Sequence, residues 1–258
     1  MLKKRIIPTL LWKNLGLVKG KKFDSWRRVG SVLPSLKIYN SRDVDELFLF
    51  DISATDEKRE PDEFSIKSFS GECSIPFCIG GGIKKLSQIE YLLASGADKV
   101  CINTEAYNNP SFIKEAVNIF GSQCIVISID YKKIGDKLFC FSNSGKIKTD
   151  KDPINWALNM EDMGCGEILF TSIDLDGTMM GYDYDYIEKL TEKINIPIIA
   201  SGGAGKLEDF YNLLSIPKVS GSAAASIFHF TEITPKIIKN FLMKKKISVR
   251  DMFADKNS

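Results

Sequence analysis

The sequence holds a single histidine, His229, among 258 residues, and its six cysteines (Cys73, Cys78, Cys101, Cys124, Cys140 and Cys165) form no CxxC pair. A histidine-based triad or a zinc centre is hard to assemble from that inventory, so no metal and no cofactor is expected. No run of 18 uninterrupted apolar residues occurs, which argues against a membrane-spanning helix. Lys3, Lys4 and Arg5 lead into a short strand rather than a signal-peptide core. A reducing, cytoplasmic setting is expected, in which most of the thiols, set in apolar strand-like runs, behave as small hydrophobes. An excess of one charge is missing too. The 35 Lys and Arg residues face 33 Asp and Glu, a formal net charge of +2, which predicts neither an extended nucleic-acid footprint nor a polybasic membrane patch.

What is present is regular alternation. Short apolar, β-rich runs begin near Arg5 (RIIPTL), Glu46 (ELFLFD), Ile75 (IPFCIG), Lys99 (KVCIN), Cys124 (CIVISID), Glu167 (EILFTS), Ile196 (IPIIAS) and Val219 (VSGSAAAS). Most intervals between them carry helical periodicity, as in Ile113, Ala116, Val117 and Phe120, with Asn109 as candidate N-cap and Pro110 at the first helical position. Gly96 and Gly121 stand where helices stop. Strand and helix alternating throughout call for parallel strands joined by crossover helices, and eight such units close a barrel. The expected fold is α/β: a single (β/α)8 TIM barrel over residues 1–250, followed by a polar tail, 251–258. A doubly wound open sheet is the structural runner-up. Strand character around a Ser-Gly turn between Lys137 and Thr149 predicts an extra hairpin after the fifth barrel strand.

The chain also repeats itself. A shift of 121 residues sets Glu46 on Glu167, Ile75-Pro76 on Ile196-Pro197 and Gly81-Gly82 on Gly202-Gly203, as two half-barrels of one plan would. The third strand ends in Gly80-Gly81-Gly82 and the seventh in Ser201-Gly202-Gly203. Glycine lets a backbone approach an anion closely and turn its N–H groups toward phosphate oxygens. Glycines that merely turn the chain are the bland alternative. Two such loops in equivalent positions, joined by Asn103-Thr104 and Ala225-Ser226 after the fourth and eighth strands, predict two anion cradles at one mouth. The expected ligand is a phosphorylated small molecule.

The runs KRIIP, FGSQCIV, GEILFTSID, DGT, GYD, IASGGAGK and ASIFHF resemble HisF, the cyclase subunit of imidazole glycerol phosphate synthase, over nearly the whole chain. The resemblance implies a HisH-type glutaminase partner, ammonia passing through the barrel, and a substrate with two phosphates. It also implies two catalytic aspartates, ending the first and fifth strands. The second is Asp130, but the family's LDVK reads Leu10-Leu11-Trp12-Lys13 here, so Leu11 stands where the first is expected. Aligning IIPTLLWK with IVISIDYK makes the same point, setting Leu11 opposite Asp130. Leucine transfers no proton, and losing a positioned acid or base costs about 10²–10⁴ in rate.

By the same resemblance, Asp51, Asn103, Thr104, Thr171, Asp176, Gly177, Ser201, Gly202, Gly203, Ala225 and Ser226 match positions lining the substrate cleft, beside Gly81 and Gly82 of the first cradle. Lys19 matches the lysine of a mobile first loop, while Ser53 and Thr55 keep two hydroxyls. At the opposite barrel end Arg5, Glu46, Lys99 and Glu167 match a charged ring gating ammonia, and Asp98 matches a glutaminase-interface position. A purely stabilising ring is the competing explanation. His229 is expected to pack or cap.

A kept partner face and a damaged acid/base pair resemble the HisF-like proteins of surface-sugar amidation, also opening on an IIPTLL-type strand. The leading expectation is a subunit relaying ammonia from a HisH-like glutaminase toward acetamidino-sugar formation in surface polysaccharide biosynthesis, with an N-acetyl-sugar amidotransferase as further partner. The alternatives are the cyclase of histidine biosynthesis, acting on phosphoribulosyl-formimino-AICAR phosphate, and a non-catalytic scaffold that activates the glutaminase.

Overall fold

The computed structural model describes residues 3–14 and 16–250; the expected tail, 251–258, lies outside the described residues. Its strands are β1 (Arg5–Lys13), β2 (Gly16–Lys21), β3 (Asp24–Gly30), β4 (Leu47–Asp51), β5 (Phe77–Gly80), β6 (Lys99–Ile102), β7 (Ile125–Ile134), β8 (Lys137–Ser142), β9 (Ile147–Lys148), β10 (Glu167–Ser172), β11 (Ile198–Ser201) and β12 (Val219–Ala224). Eight of them pair in parallel in the cyclic order β1-β4-β5-β6-β7-β10-β11-β12, and β12 returns to β1. The sheet is therefore closed, with no edge in the barrel wall, and the open-sheet alternative is excluded.

Helices on the outside include α1 (Val32–Asn40), α2 (Glu63–Glu72), α3 (Leu86–Ala94), α4 (Thr104–Asn108), α5 (Pro110–Phe120), α6 (Pro153–Asp162), α7 (Tyr184–Lys193), α8 (Leu207–Leu214), α9 (Ser226–Phe230) and α10 (Pro235–Lys244). The period read for α5 places its inner face correctly: Ile113 and Ala116 are buried, and Val117 and Phe120 pack half-buried against the same core. Pro110 opens α5 as expected, but the Asn109 side chain makes no capping bond to a backbone N–H and accepts instead from the Ser111 hydroxyl at 2.7 Å. Gly96 and Gly121 have φ of 102° and 87°, a left-handed geometry that suits glycine after a helix.

Along each barrel strand alternate residues point inward. One from every barrel strand, Ile7, Phe48, Cys78, Cys101, Val126, Leu169, Ile199 and Ala223, meets in an apolar layer across the middle of the barrel. Burying one large aliphatic or aromatic side chain contributes roughly 1.5–3 kcal/mol, so this layer fixes the wall that holds both ends. The larger core, including Leu10, Leu49, Ile79, Val100 and Ile129, lies between sheet and helices.

Strands β1 and β7, four places apart around the barrel, both run past the rim and turn back antiparallel. Leu11 pairs with Val18 of β2, and Asp130 with Phe141 of β8. The expected second hairpin is present, with β9 reduced to two residues. The segment around Lys19 forms a β2–β3 hairpin that lies against the barrel: Lys22 N–H donates to the Asp176 carbonyl at 2.8 Å, and a Cβ on Gly177 would fall 2.3 Å from the Gly20 carbonyl oxygen.

Candidate active site

The carboxyl ends of the barrel strands open into one cleft of about 1190 Å³, open solvent at its mouth included. Every residue expected at the substrate site lines it: Lys19, Asp51, Gly81, Gly82, Asn103, Thr104, Asp130, Thr171, Asp176, Gly177, Ser201, Gly202, Gly203, Ala225 and Ser226. Inward alternation brings them there from strands far apart in sequence.

The two glycine loops obey the repeat to the level of single contacts. Gly81 has φ of 112° and a Cβ there would sit 2.2 Å from the Asp51 carbonyl oxygen. At Gly202, 121 residues on, φ is 93° and the contact is 2.6 Å to the carbonyl oxygen of Ser172, the residue 121 after Asp51. Side chains are thus excluded at both turns by backbone, which explains the glycines at two turns that line the cleft. The helices that follow start alike: Gln88 accepts from Lys84 and Lys85 N–H at 2.8 and 3.0 Å, and Asp209 from Gly205 and Lys206 N–H at the same distances.

Asp130 is the buried acid of the site. Its carboxylate accepts from the Ser128 hydroxyl at 3.0 Å and the Asn103 amide at 3.3 Å. Burial pushes its pKa up to about 7; Ser128 and Thr171 oppose that, and the nearby charge of Asp176 adds to it. Such a group holds or releases a proton near neutrality. Asn103 also donates to the Ser128 and Phe141 carbonyls, and Thr104 accepts from Asn143 N–H at 3.1 Å, so these two tie the second hairpin to the acid. Leu11 lines the same cleft, with Phe50 beside it in register on β4. Where the repeat sets a second acid, the wall is apolar.

The other two cleft carboxylates are engaged. Asp176 binds Lys19 through both oxygens, at 2.7 and 2.9 Å. Asp51 accepts from Ser53 N–H, the Ser53 hydroxyl and Ala54 N–H, each at 3.0 Å, and its Oδ2 lies 3.1 Å from Nη1 of Arg59. Arg59, which also pairs with Glu57 of its own loop, is not among the residues expected at the site. Thr9 was missed as well: its hydroxyl and that of Ser226 are buried at the cleft without a hydrogen-bond partner among the described residues, which suits them to a ligand. His229 does not line the cleft. Burial, reinforced by the charge of Lys19, lowers its pKa to about 4, so it is neutral at neutral pH.

At the amino ends of the strands the expected ring is assembled. Arg5 bonds Glu46 and Glu167, and Lys99 reaches the same two carboxylates at 2.8 and 2.9 Å. Burial opposes the Glu167 charge, yet the bonds from Arg5 and the charge of Lys99 hold its pKa below the usual range. Ser220, unseen in its run of small residues, donates to Glu167 at 3.2 Å and accepts from Arg5 at 2.8 Å. Asp98 lies on the same face, exposed, accepting from Phe77 N–H at 2.8 Å. The ring and the cleft occupy opposite ends of one barrel, with the apolar layer between.

Against this geometry, residues 5–234 match the family model described as histidine biosynthesis protein. The chain belongs to that family. Relatives named imidazole glycerol phosphate synthase subunit HisF include those of Clostridium botulinum strain Langeland, 43% identical over 252 residues, and of Flavobacterium johnsoniae, 43% identical over 250; each alignment covers 97% of this chain and 100% of the relative. The same-named protein of Natranaerobius thermophilus is 44% identical over 250 residues, with the same coverage. Membership of the histidine biosynthesis family accounts for the closed parallel barrel. No helix among the described residues is long and apolar enough to cross a membrane.

Proposed function

We propose that this chain is a HisF-type synthase subunit of a glutamine amidotransferase. A HisH-type glutaminase docks at the face carrying Arg5, Glu46, Asp98, Lys99 and Glu167, ammonia enters there, and a phosphorylated ligand waits in the cleft at the far end. In the finer reading the ammonia is relayed for acetamidino-sugar formation in surface polysaccharide biosynthesis, with an N-acetyl-sugar amidotransferase as third partner. The observation that carries it is Leu11. Ring closure to an imidazole needs protons moved on two sides of the ligand, and here Leu11 and Phe50 face the cleft where the second carrier is due.

The second reading, the cyclase of imidazole glycerol phosphate synthase, is favoured by the relatives' names and by Asp130, poised near neutrality. One assay separates the two. The purified chain is given ammonia and phosphoribulosyl-formimino-AICAR phosphate, and imidazole glycerol phosphate and AICAR are followed. Turnover at rates ordinary for an enzyme sinks the relay reading; turnover absent from the wild type and recovered in Leu11→Asp supports it, with the rest of the cleft intact.

A further inference from the structure

The near-neutral net charge conceals a strong polarity of the molecule. Lys13–Arg28, which spans the β2–β3 hairpin, carries six cations and one carboxylate, and Lys132–Lys151, which spans β8 and β9, carries six cations and two carboxylates. With the chain at +2, everything outside these two segments sums to −7. Both segments rise from the carboxyl ends of strands on opposite sides of the barrel, and they meet above the cleft, where Phe23 packs against Gly145 and the Ser144 hydroxyl donates to the Ile52 carbonyl at 3.0 Å.

Most of this charge is unspent. Lys21, Arg28, Lys133 and Lys137 are exposed and have no carboxylate within ion-pair distance among the described residues. Most acidic side chains of the neighbouring loops already have cations: Asp51 and Glu57 share Arg59, Asp56 takes Lys146, Glu60 takes Lys85 and Asp176 takes Lys19, while Asp174 accepts from the Lys133 N–H at 2.9 Å. An edge strand studded with Lys and Arg also resists self-pairing, but that purpose does not require both hairpins to frame the same mouth.

We infer that the two hairpins form an electrostatic collar that draws a multiply phosphorylated small molecule into the cleft, while the rest of the surface repels it. The inference rests on the cleft being a phosphate site, and adds that capture, not only retention, is built into the chain. Charged rims of this kind raise association rates by 10–10³ and lose their effect as salt rises. The four unpaired cations lie outside the groups that hold the ligand.

The test is stopped-flow association of fructose 1,6-bisphosphate, followed through the fluorescence of Trp26, which lines the cleft. The quadruple variant Lys21→Glu, Arg28→Glu, Lys133→Glu, Lys137→Glu is compared with the wild type and with a control reversing Lys193 and Lys244 on the outer helices. A drop in association rate of about tenfold or more at low ionic strength, shrinking toward nothing in about 0.5 M salt and absent from the control, is expected. Unchanged association in the quadruple variant overturns the collar while leaving the cradles standing. A wild type that does not bind the bisphosphate at all overturns both.

Discussion

The ammonium of Lys19 sits 2.7 Å from Oδ2 of Asp176 although 157 residues separate them, and this pair clamps the first hairpin onto the loop after β10. With Lys19 almost wholly buried, Lys19→Met leaves Asp176 without its cation and loosens the hairpin. Limited trypsinolysis should then cut at Lys21, Lys22 or Arg27 markedly faster than in the wild type, whereas unchanged cleavage would show that the Gly20–Gly177 contact and the Lys22 N–H bond to Asp176 hold the hairpin down without the ion pair.

The same substitution has a spectroscopic readout, because His229 is the chain's sole histidine. Burial is the larger cause of its depressed pKa and Lys19 the smaller. In Lys19→Met the imidazole should titrate above the wild-type value of about 4 yet still below a free histidine, as seen in its ring proton shifts by NMR. An unmoved titration would remove Lys19 from its surroundings.

Asp130 carries a linkage consequence. Its folded-state pKa of about 7 lies above the unfolded value of a carboxylate, so its favourable contribution is full at low pH and is lost as pH rises through 7. Asp130→Asn escapes that loss. Urea unfolding should show the variant gaining on the wild type between about pH 4 and pH 7, while any proton-transfer turnover falls by about 10²–10⁴. Parallel stability profiles would mean that Asp130 stays charged.

The ring makes the opposite prediction. Arg5→Ala leaves Glu46 and Glu167, both buried, with Lys99 alone, and removing one partner of a buried ion pair costs about 3–5 kcal/mol. Since the Glu167 pKa is depressed, the wild-type advantage should be present above the unfolded carboxylate range and fade as pH falls through the folded value. Denaturant melts at pH 7 and in acid check both statements; equal stability at pH 7 would contradict the closed ring.

Glycine substitutions separate geometry from composition. A Cβ on Gly203 would fall 1.9 Å from the Gly181 carbonyl oxygen at φ of 114°, whereas one on Gly71, in α2, meets nothing within 4 Å. Gly203→Ala should destabilise by at least about 1–3 kcal/mol and weaken phosphate binding. Gly71→Ala should stabilise by roughly 0.5–1 kcal/mol, the ordinary gain of alanine over glycine within a helix. Thermal melts of the two variants, side by side, decide it.

Legibility in the sequence followed the range of the interactions. The eight barrel strands could be read because each is an apolar run buried on both faces, and their starts differ from expectation by no more than two residues. Gly81 and Gly202 could be read because backbone contacts at one offset left the same mark twice. The first hairpin could not: β3 is mostly exposed and charged, and what fixes it is Asp176 and Gly177, far along the chain. Ser220 escaped for the same reason, being defined by a carboxylate and a guanidinium from other strands, whereas Arg59 meets Asp51 only eight residues away and escaped because a charged loop residue does not announce which carboxylate it turns to. The ring was recognisable only through family resemblance, since a charge at a strand's start does not announce its three companions.

The apolar layer between ring and cleft has a consequence for proton accounting. Apart from the weakly polar thiols of Cys78 and Cys101, the layer is hydrocarbon that cannot solvate an ion, and an unpaired charge moved through such surroundings faces a steep desolvation cost. Whatever nitrogen species crosses the barrel must cross as free base, leaving its proton on the side of Arg5 and Lys99. Under the proposed function the two ends of the molecule share nitrogen but not protons, and any proton needed in the cleft has to come from Asp130, its ligand or the solvent above.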